Sequence, residues 1–204
     1  IRRAGEDLRK GDIALSKGVR LGSAEMGLLA SLNSTFVPVS RRPEVAILST
    51  GDEIVDLGAE LKNGQIRNSN AYTLYSEIVK YGGIPRYMGI APDNREATTA
   101  ILEEAMESDV VVTTGGVSMG RYDFVSDALA GLGVGIMIDT IRMKPGKPCV
   151  FGRRGKTLFF GLPGNPVSTM VSFLQFVRPA LLRMTGALRI DKPLVRATLT
   201  EEIR

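Results

Sequence analysis

A chain of 204 residues, 44% hydrophobic and 24% charged, has the make-up of a globular protein with room for one good-sized domain, and no apolar run in it approaches a membrane span. It contains no histidine and a single cysteine, Cys149, which excludes a Ser–His–Asp triad, His-ligated zinc and an internal disulfide, and which fits a reducing cytoplasm. The net charge of +4 is mild, the basic residues are scattered, and there is no tryptophan, so neither a nucleic-acid stripe nor a base-stacking platform is expected.

Residues 1–40 read as short glycine-punctuated segments, the remnant of a β-rich module. Within them SAEMGLLASLN is expected to be a short helix with Ser23 as N-cap, flanked by short strands. From RRPE (41–44) the pattern changes. VAILST (45–50) is a short apolar run ending at Gly51, as in a strand buried on both faces. In RNSNAYTLYSEIVKYGG, apolar residues at Ala71, Leu74, Tyr75, Ile78 and Val79 have helical spacing, and Gly82 and Gly83 supply the stop. IPRYMGIA is a second strand, and PDNREATTAILEEAMES a second helix, with Asp93 and Glu96 spaced as a capping box. DVVVTT and YDFVSDALAGLG repeat the alternation. VGIMIDTIRMK, PCVFGRR and TLFFGL are further strands, and NPVSTMVSFLQFVRPALLRMTG is a long apolar helix. Alternating β and α units imply a three-layer α/β/α fold on a mostly parallel sheet, with ligands at the carboxyl ends of its strands. The chain stops at Arg204 inside LVRATLTEEIR, which alternates like a strand; both ends look cut, and the chain is expected to be a fragment of a longer protein.

Four features at that edge, the last of them a pair of loops, carry unusual residues. In STGDE, Thr50 and Gly51 precede Asp52 and Glu53; alone, this is a turn whose acids complement a helix N-terminus, the alternative being a carboxylate for a hard cation such as Mg²⁺. In APDNRE, Asp93 reads as an N-cap. In TTGGVSMGRYD, Gly115 and Gly116 let backbone N–H groups approach an anion and Ser118 adds a hydroxyl, while Asp123 is open to three roles: helix cap, metal ligand or acid/base group. This is neither a Walker A loop nor a dinucleotide fingerprint. In MKPGKPC, Lys144 and Lys147 sit on a loop stiffened by Pro145 and Pro148, an arrangement suited to clamping a compact oxyanion. In GLPGNPVS, Asn165 is an N-cap, Pro166 a first-turn residue, and Ser168 lies in a helix start ready for an anion. Together these residues point to an anionic, phosphorylated ligand with acids available for Mg²⁺.

In this order, STGDE, GGVSMG with an aspartate three residues on, KPGKP and GLPGNPVS resemble the MoeA / gephyrin E-domain family, the molybdopterin molybdenumtransferases. The resemblance is strongest over 41–186, a MogA-like molybdopterin-binding domain; 1–40 resemble the end of the family's β-rich second domain, and 187–204 the start of its C-terminal β-domain. It implies the last step of molybdenum-cofactor synthesis: adenylylated molybdopterin is hydrolysed in the presence of Mg²⁺ and molybdate, AMP leaves, and molybdenum enters the dithiolene. By position, Glu53, Asp93 and Asp123 match the family's acidic positions for Mg²⁺ and the phosphates, and Ser118 a nucleotide-contacting serine. Lys144, Lys147, Pro148 and Ser168 match positions near the molybdate site. Arg121 stands where the family often carries an acid. The resemblance further implies a homodimer built through flanking domains, with a MogA-type adenylyltransferase and acceptor molybdoenzymes as partners. Competing readings are a MogA-type adenylyltransferase, a CinA-like nucleotide-processing domain and, from another class, a gephyrin-like scaffold.

Overall fold

The computed structural model describes residues 3–92, 94–116 and 124–201. Its contacts divide the chain into two compact units, one of Ile1–Thr35 with Ala187–Arg204 and one of Phe36–Gly186.

The described part of the first unit holds one helix, α1 (Ser23–Ser31), and no strand. The expected short strands on either side of α1, and the strand-like alternation near Arg204, are therefore corrected for the described residues. A strand needs a neighbour to satisfy its N–H and C=O groups, and alternation alone does not supply one. Ser23 is not the cap either: it is the first helical residue, the cap position is Gly22, and the Glu25 carboxylate accepts from the Gly22 N–H at 2.9 Å.

The second unit is a mixed sheet between helical layers. Its elements are β1 (Glu44–Thr50), β2 (Ile54–Val55), β3 (Ile66–Arg67), α2 (Ser69–Lys80), β4 (Ile84–Ala91), α3 (Arg95–Ala105), β5 (Val110–Thr114), α4 (Phe124–Gly131), β6 (Gly135–Ile138), β7 (Val150–Arg154), β8 (Thr157–Leu162), α5 (Pro166–Ser172), one π turn (Phe173–Val177) and α6 (Arg178–Met184). The main sheet runs in the order β4-β1-β5-β8-β7-β6; β2 and β3 form a separate small pair. β4, β1, β5 and β8 are parallel, whereas β7 is antiparallel to both β8 and β6. That reversal departs from a uniformly parallel sheet and follows from the short Arg154–Thr157 connection, which permits a hairpin and no crossover helix.

Period-two alternation explains the layers. In β1, Val45 and Ile47 face a core with Leu74 and Ile78 of α2, Phe173 and Leu181, while Ala46 and Leu48 face a second core with Leu102 of α3 and Leu129 of α4. β1 and β5 are thus buried on both faces, as their apolar runs predict. On α2 the buried residues are Ala71, Leu74 and Ile78; Tyr75 and Val79, expected on the same face, are exposed, because one sheet face is covered by a narrower stripe than the apolar spacing offers. Gly82, at φ +86°, ends the helix as anticipated. The cap of α3 is Asn94, whose Oδ1 accepts from the Ala97 N–H at 3.1 Å, in place of the expected Asp93; Glu96 then falls one position too early for a capping box. The long C-terminal helix is present but widens into its π turn just before Pro179, which has no N–H to return to the preceding turn.

The parallel strands all end at one edge. β7, running the other way, begins there, so the loop that carries Lys144 and Lys147 comes to the same edge as the loops after β1, β5 and β8.

Candidate functional site

At that edge lies a cavity of about 620 Å³, within the range of small-molecule sites. It is lined by segments from four separate loops: Thr50, Gly51 and Glu53 after β1, Thr114 to Gly116 after β5, Pro148 before β7, and Pro163 to Pro166 after β8. Eight of the residues singled out in the sequence are thereby brought together: Thr50, Gly51, Glu53, Gly115, Gly116, Pro148, Asn165 and Pro166. Lys144, Lys147 and Ser168 are not among its lining residues; both lysines are exposed, and Lys147 directly precedes Pro148. Asp93, Ser118, Arg121 and Asp123 lie outside the described residues.

The glycine turn is shaped by contact with β1. Gly115 and Gly116 have φ of +80° and +60°, and a Cβ on Gly115 would collide with the Thr50 carbonyl oxygen, one on Gly116 with the Thr50 hydroxyl. Only glycine permits both the left-handed backbone and this approach. The Gly115 N–H is already committed, donating to the Leu162 carbonyl at 3.1 Å and continuing the β5–β8 ladder, so it is closed to an anion. The start of α5 is committed too. Asn165 Oδ1 accepts from the N–H groups of Val167 and Ser168 at 3.1 and 3.2 Å, its carbonyl accepts from Thr169, and Pro166 has no N–H. The cap predicted at Asn165 is correct, and it occupies the donors that made this helix start look ready for an anion.

The lysine loop is pinned from beneath. Ile141 donates to the Lys147 carbonyl at 3.0 Å, and Gly146, at φ +108°, passes so close to Ser172 of α5 that a Cβ there would stand 2.8 Å from its hydroxyl. Burial pushes the thiol of the neighbouring Cys149 up to about 11.

Among the described residues no three His, Cys, Asp or Glu side chains converge to hold a metal. Glu53 lies at the cavity, and its carboxylate makes no hydrogen bond or ion pair with a described residue, so both of its oxygens remain for a hard cation or a ligand hydroxyl.

One wall was missed in the sequence. Arg67, Asn68, Ser69 and Asn70, at the end of β3 and the start of α2, also line the cavity. Asn68 caps α2, and Asn70 Nδ2 donates to the Gly164 carbonyl at 2.8 Å, joining this wall to the loop after β8. An asparagine immediately before an amphipathic run was the available signal. Behind the wall, the Asp56 carboxylate accepts from the hydroxyls of Tyr72 at 2.7 Å and Tyr87 at 2.9 Å. Tyr72 above all, then the Leu57 N–H and Tyr87, hold this carboxyl below the usual carboxylate range against its partial desolvation. Desolvation, reinforced by Asp56, raises the Tyr87 hydroxyl well above an ordinary phenol.

Residues 46–183 match the family described as a probable molybdopterin binding domain. The chain is 40% identical over 194 residues to a molybdopterin molybdenumtransferase of Haemophilus influenzae, covering 95% of this chain and 48% of that protein. It is 37% identical over 182 residues to the molybdopterin molybdenumtransferase of Bacillus subtilis, covering 89% and 42%. Among solved structures, a molybdopterin biosynthesis MoeA protein from Pyrococcus horikosii superposes with a TM-score of 0.80 at 39% identity, covering 88% of this chain and 45% of that one. The chain thus spans about half the length, or somewhat less, of the relatives it matches. Among the described residues no helix is long and apolar enough to cross a membrane.

Proposed function

The chain belongs to the family of the probable molybdopterin binding domain, and on that premise we propose that its cavity takes adenylylated molybdopterin and, within the whole protein, serves molybdenum insertion with release of AMP. The observation that carries this reading is the convergence of the four motif loops on one cavity, with Glu53 and the Gly115–Gly116 turn at one side and Pro148, next to Lys147, at the other. A doubly phosphorylated substrate needs its charge neutralised and its phosphates held in line, which is chiefly a matter of positioning and electrostatics and needs no histidine.

Glu53, with Asp93 and Asp123, would hold Mg²⁺, and the fit of Glu53 rests on its place at the cavity with both carboxylate oxygens unengaged by any described residue. When bound, the ion would offset charge on the bridging phosphate oxygens. The chain's own groups do the rest. The glycine turn admits the ligand close to the backbone, Ser118 contacts the nucleotide, and Lys144 and Lys147 hold the molybdate oxyanion beside Pro148 and Ser168. In this reading the whole protein works as a cytoplasmic homodimer that receives substrate from an adenylyltransferase.

The test is made on the full-length protein. AMP should be released from adenylylated molybdopterin only when molybdate and Mg²⁺ are both present, and Lys147→Ala and Asp123→Asn should each abolish insertion while leaving the circular-dichroism spectrum intact. ATP-driven transfer of AMP onto molybdopterin would overturn the assignment, and so would near-wild-type insertion by both variants.

A further inference from the structure

Behind the wall formed by Asn68, the hydrogen bonds run in a single direction. Thr114 Oγ1 donates to Ser49 Oγ at 3.4 Å, and Ser49 Oγ to Asn68 Oδ1 at 2.9 Å. Asn68 Nδ2 donates to the Tyr87 hydroxyl at 2.8 Å, and that hydroxyl donates to Asp56 Oδ2 at 2.9 Å. Ser49, Asn68 and Thr114 are buried, Tyr87 is half-buried, and Asn68 and Thr114 line the cavity. A tyrosine has one proton to donate. Because Tyr87 gives it to Asp56, its oxygen is left to accept from Asn68, and this selects which end of the Asn68 amide turns outward. Oδ1 is then directed at Ser49 and at the Ala71 N–H, 3.4 Å away, where it caps α2. Serine, threonine, asparagine and tyrosine can all donate and accept; the ionised carboxylate can only accept and the Ala71 N–H can only donate, so the two fix the polarity of the series in the same sense. The same residue also holds its neighbour, since the Asp56 carbonyl accepts from Arg67 Nη1 at 2.9 Å. Arg67 is the sole Lys or Arg among the described residues lining the cavity.

We infer that Asp56 is a positioning residue for this cavity: through Tyr87 and Asn68 it orients the start of α2, and through its carbonyl it places Arg67, so that the cavity wall at the start of α2 is preset for an anionic ligand. The inference deepens the function proposed above and rests on it for the identity of the substrate, but not for the existence of the relay.

Two tyrosines that differ in wiring provide the test. Both donate to the same carboxylate, but only Tyr87 is connected to Asn68, and Tyr72 is exposed, so that water replaces its contact. In the full-length protein, Tyr87→Phe should raise KM for adenylylated molybdopterin about five- to tenfold with kcat within about twofold, as expected for one lost buried hydrogen bond. Tyr72→Phe should stay within about twofold on both. Asp56→Asn, which keeps the shape but leaves one acceptor oxygen for two hydroxyls, should repeat the Tyr87→Phe result. Amide hydrogen exchange of the peptide spanning Arg67–Leu74, measured without any ligand, should accelerate in Tyr87→Phe and Asp56→Asn only. Unchanged exchange, equal KM effects of the two tyrosine variants, or a fall confined to kcat would overturn the inference. Faster exchange in a protein whose wild type releases no AMP from adenylylated molybdopterin would uphold the relay and sink the proposed substrate.

Discussion

Replacing Gly115 by alanine tests the geometry of the turn at the end of β5 most directly. Two costs arise. Holding alanine at φ +80° costs about 1–2 kcal/mol, because a Cβ then crowds its own carbonyl. The added methyl also meets the Thr50 backbone oxygen, which lies in a central strand held on both sides and cannot swing away like a flexible side chain. Overpacking of this kind costs about 1–3 kcal/mol more. Gly155, in the turn between β7 and β8, separates the two contributions, since it has φ +58° and nothing within 4 Å of its missing Cβ. Gly155→Ala should therefore cost only the backbone part, about 1–2 kcal/mol, and Gly115→Ala about 2–5 kcal/mol in all. Urea unfolding followed by circular dichroism, with a common slope, measures both. A Gly115→Ala penalty no larger than that of Gly155→Ala would refute the claim that contact with Thr50 is what demands glycine there.

Thr113, in β5, is fully buried and its hydroxyl has no hydrogen-bond partner among the described residues, so Thr113→Val should stabilise the chain by about 1 kcal/mol in the same assay; a loss of that size would mean the hydroxyl is engaged. The Asp109 carboxyl is held below its usual range by Arg41, which grips both of its oxygens, with help from the Glu44 N–H. Its contribution is therefore present above the unfolded value of about 3.9 and is lost as pH falls from there through the folded value. The stability gap between wild type and Asp109→Asn should be flat from neutral pH to about 5 and should close below about 4; a gap that changes most near pH 7 would contradict the ion pair. With its thiol pushed to about 11 by burial, Cys149 should resist iodoacetamide at pH 8 in the native chain and react promptly in urea. Rapid native labelling would show that the loop before β7 opens.

Much of this architecture is legible in the residues because burial writes itself into pattern. Val45 to Leu48 and Val110 to Val112 are apolar at every position since both faces of those strands are covered, and a continuous apolar run says so directly. The four motif loops could be placed at one edge because parallel strands share an end. The reversal of β7 was less visible: VFGRR and TLFFGL look alike as strands, and their direction is decided by how short the link through Gly155 is. Helix starts were read one residue off at Ser23 and Asp93, because several neighbouring residues have capping side chains and backbone conformation chooses among them. The Asp56 relay was illegible because its members, Ser49, Asn68, Tyr87 and Thr114, stand on four different elements and meet only when β1 has β4 and β5 on either side.

The bond from Asn70 to Gly164 spans 94 positions of the chain, and the cavity walls draw on short segments spread from Thr50 to Pro166. A ribosome that has released only the first hundred residues of this stretch has made three adjacent strands, β4, β1 and β5, but no closed cavity, because β8 must still insert beside β5. Ligand capture is thereby deferred until α5 has emerged, and a nascent or clipped chain holds no half-built pocket in which a reactive intermediate could be stranded. Once filled, the same cavity ties the end of β1 to the start of α5, so its occupant acts as a clasp between segments more than a hundred positions apart.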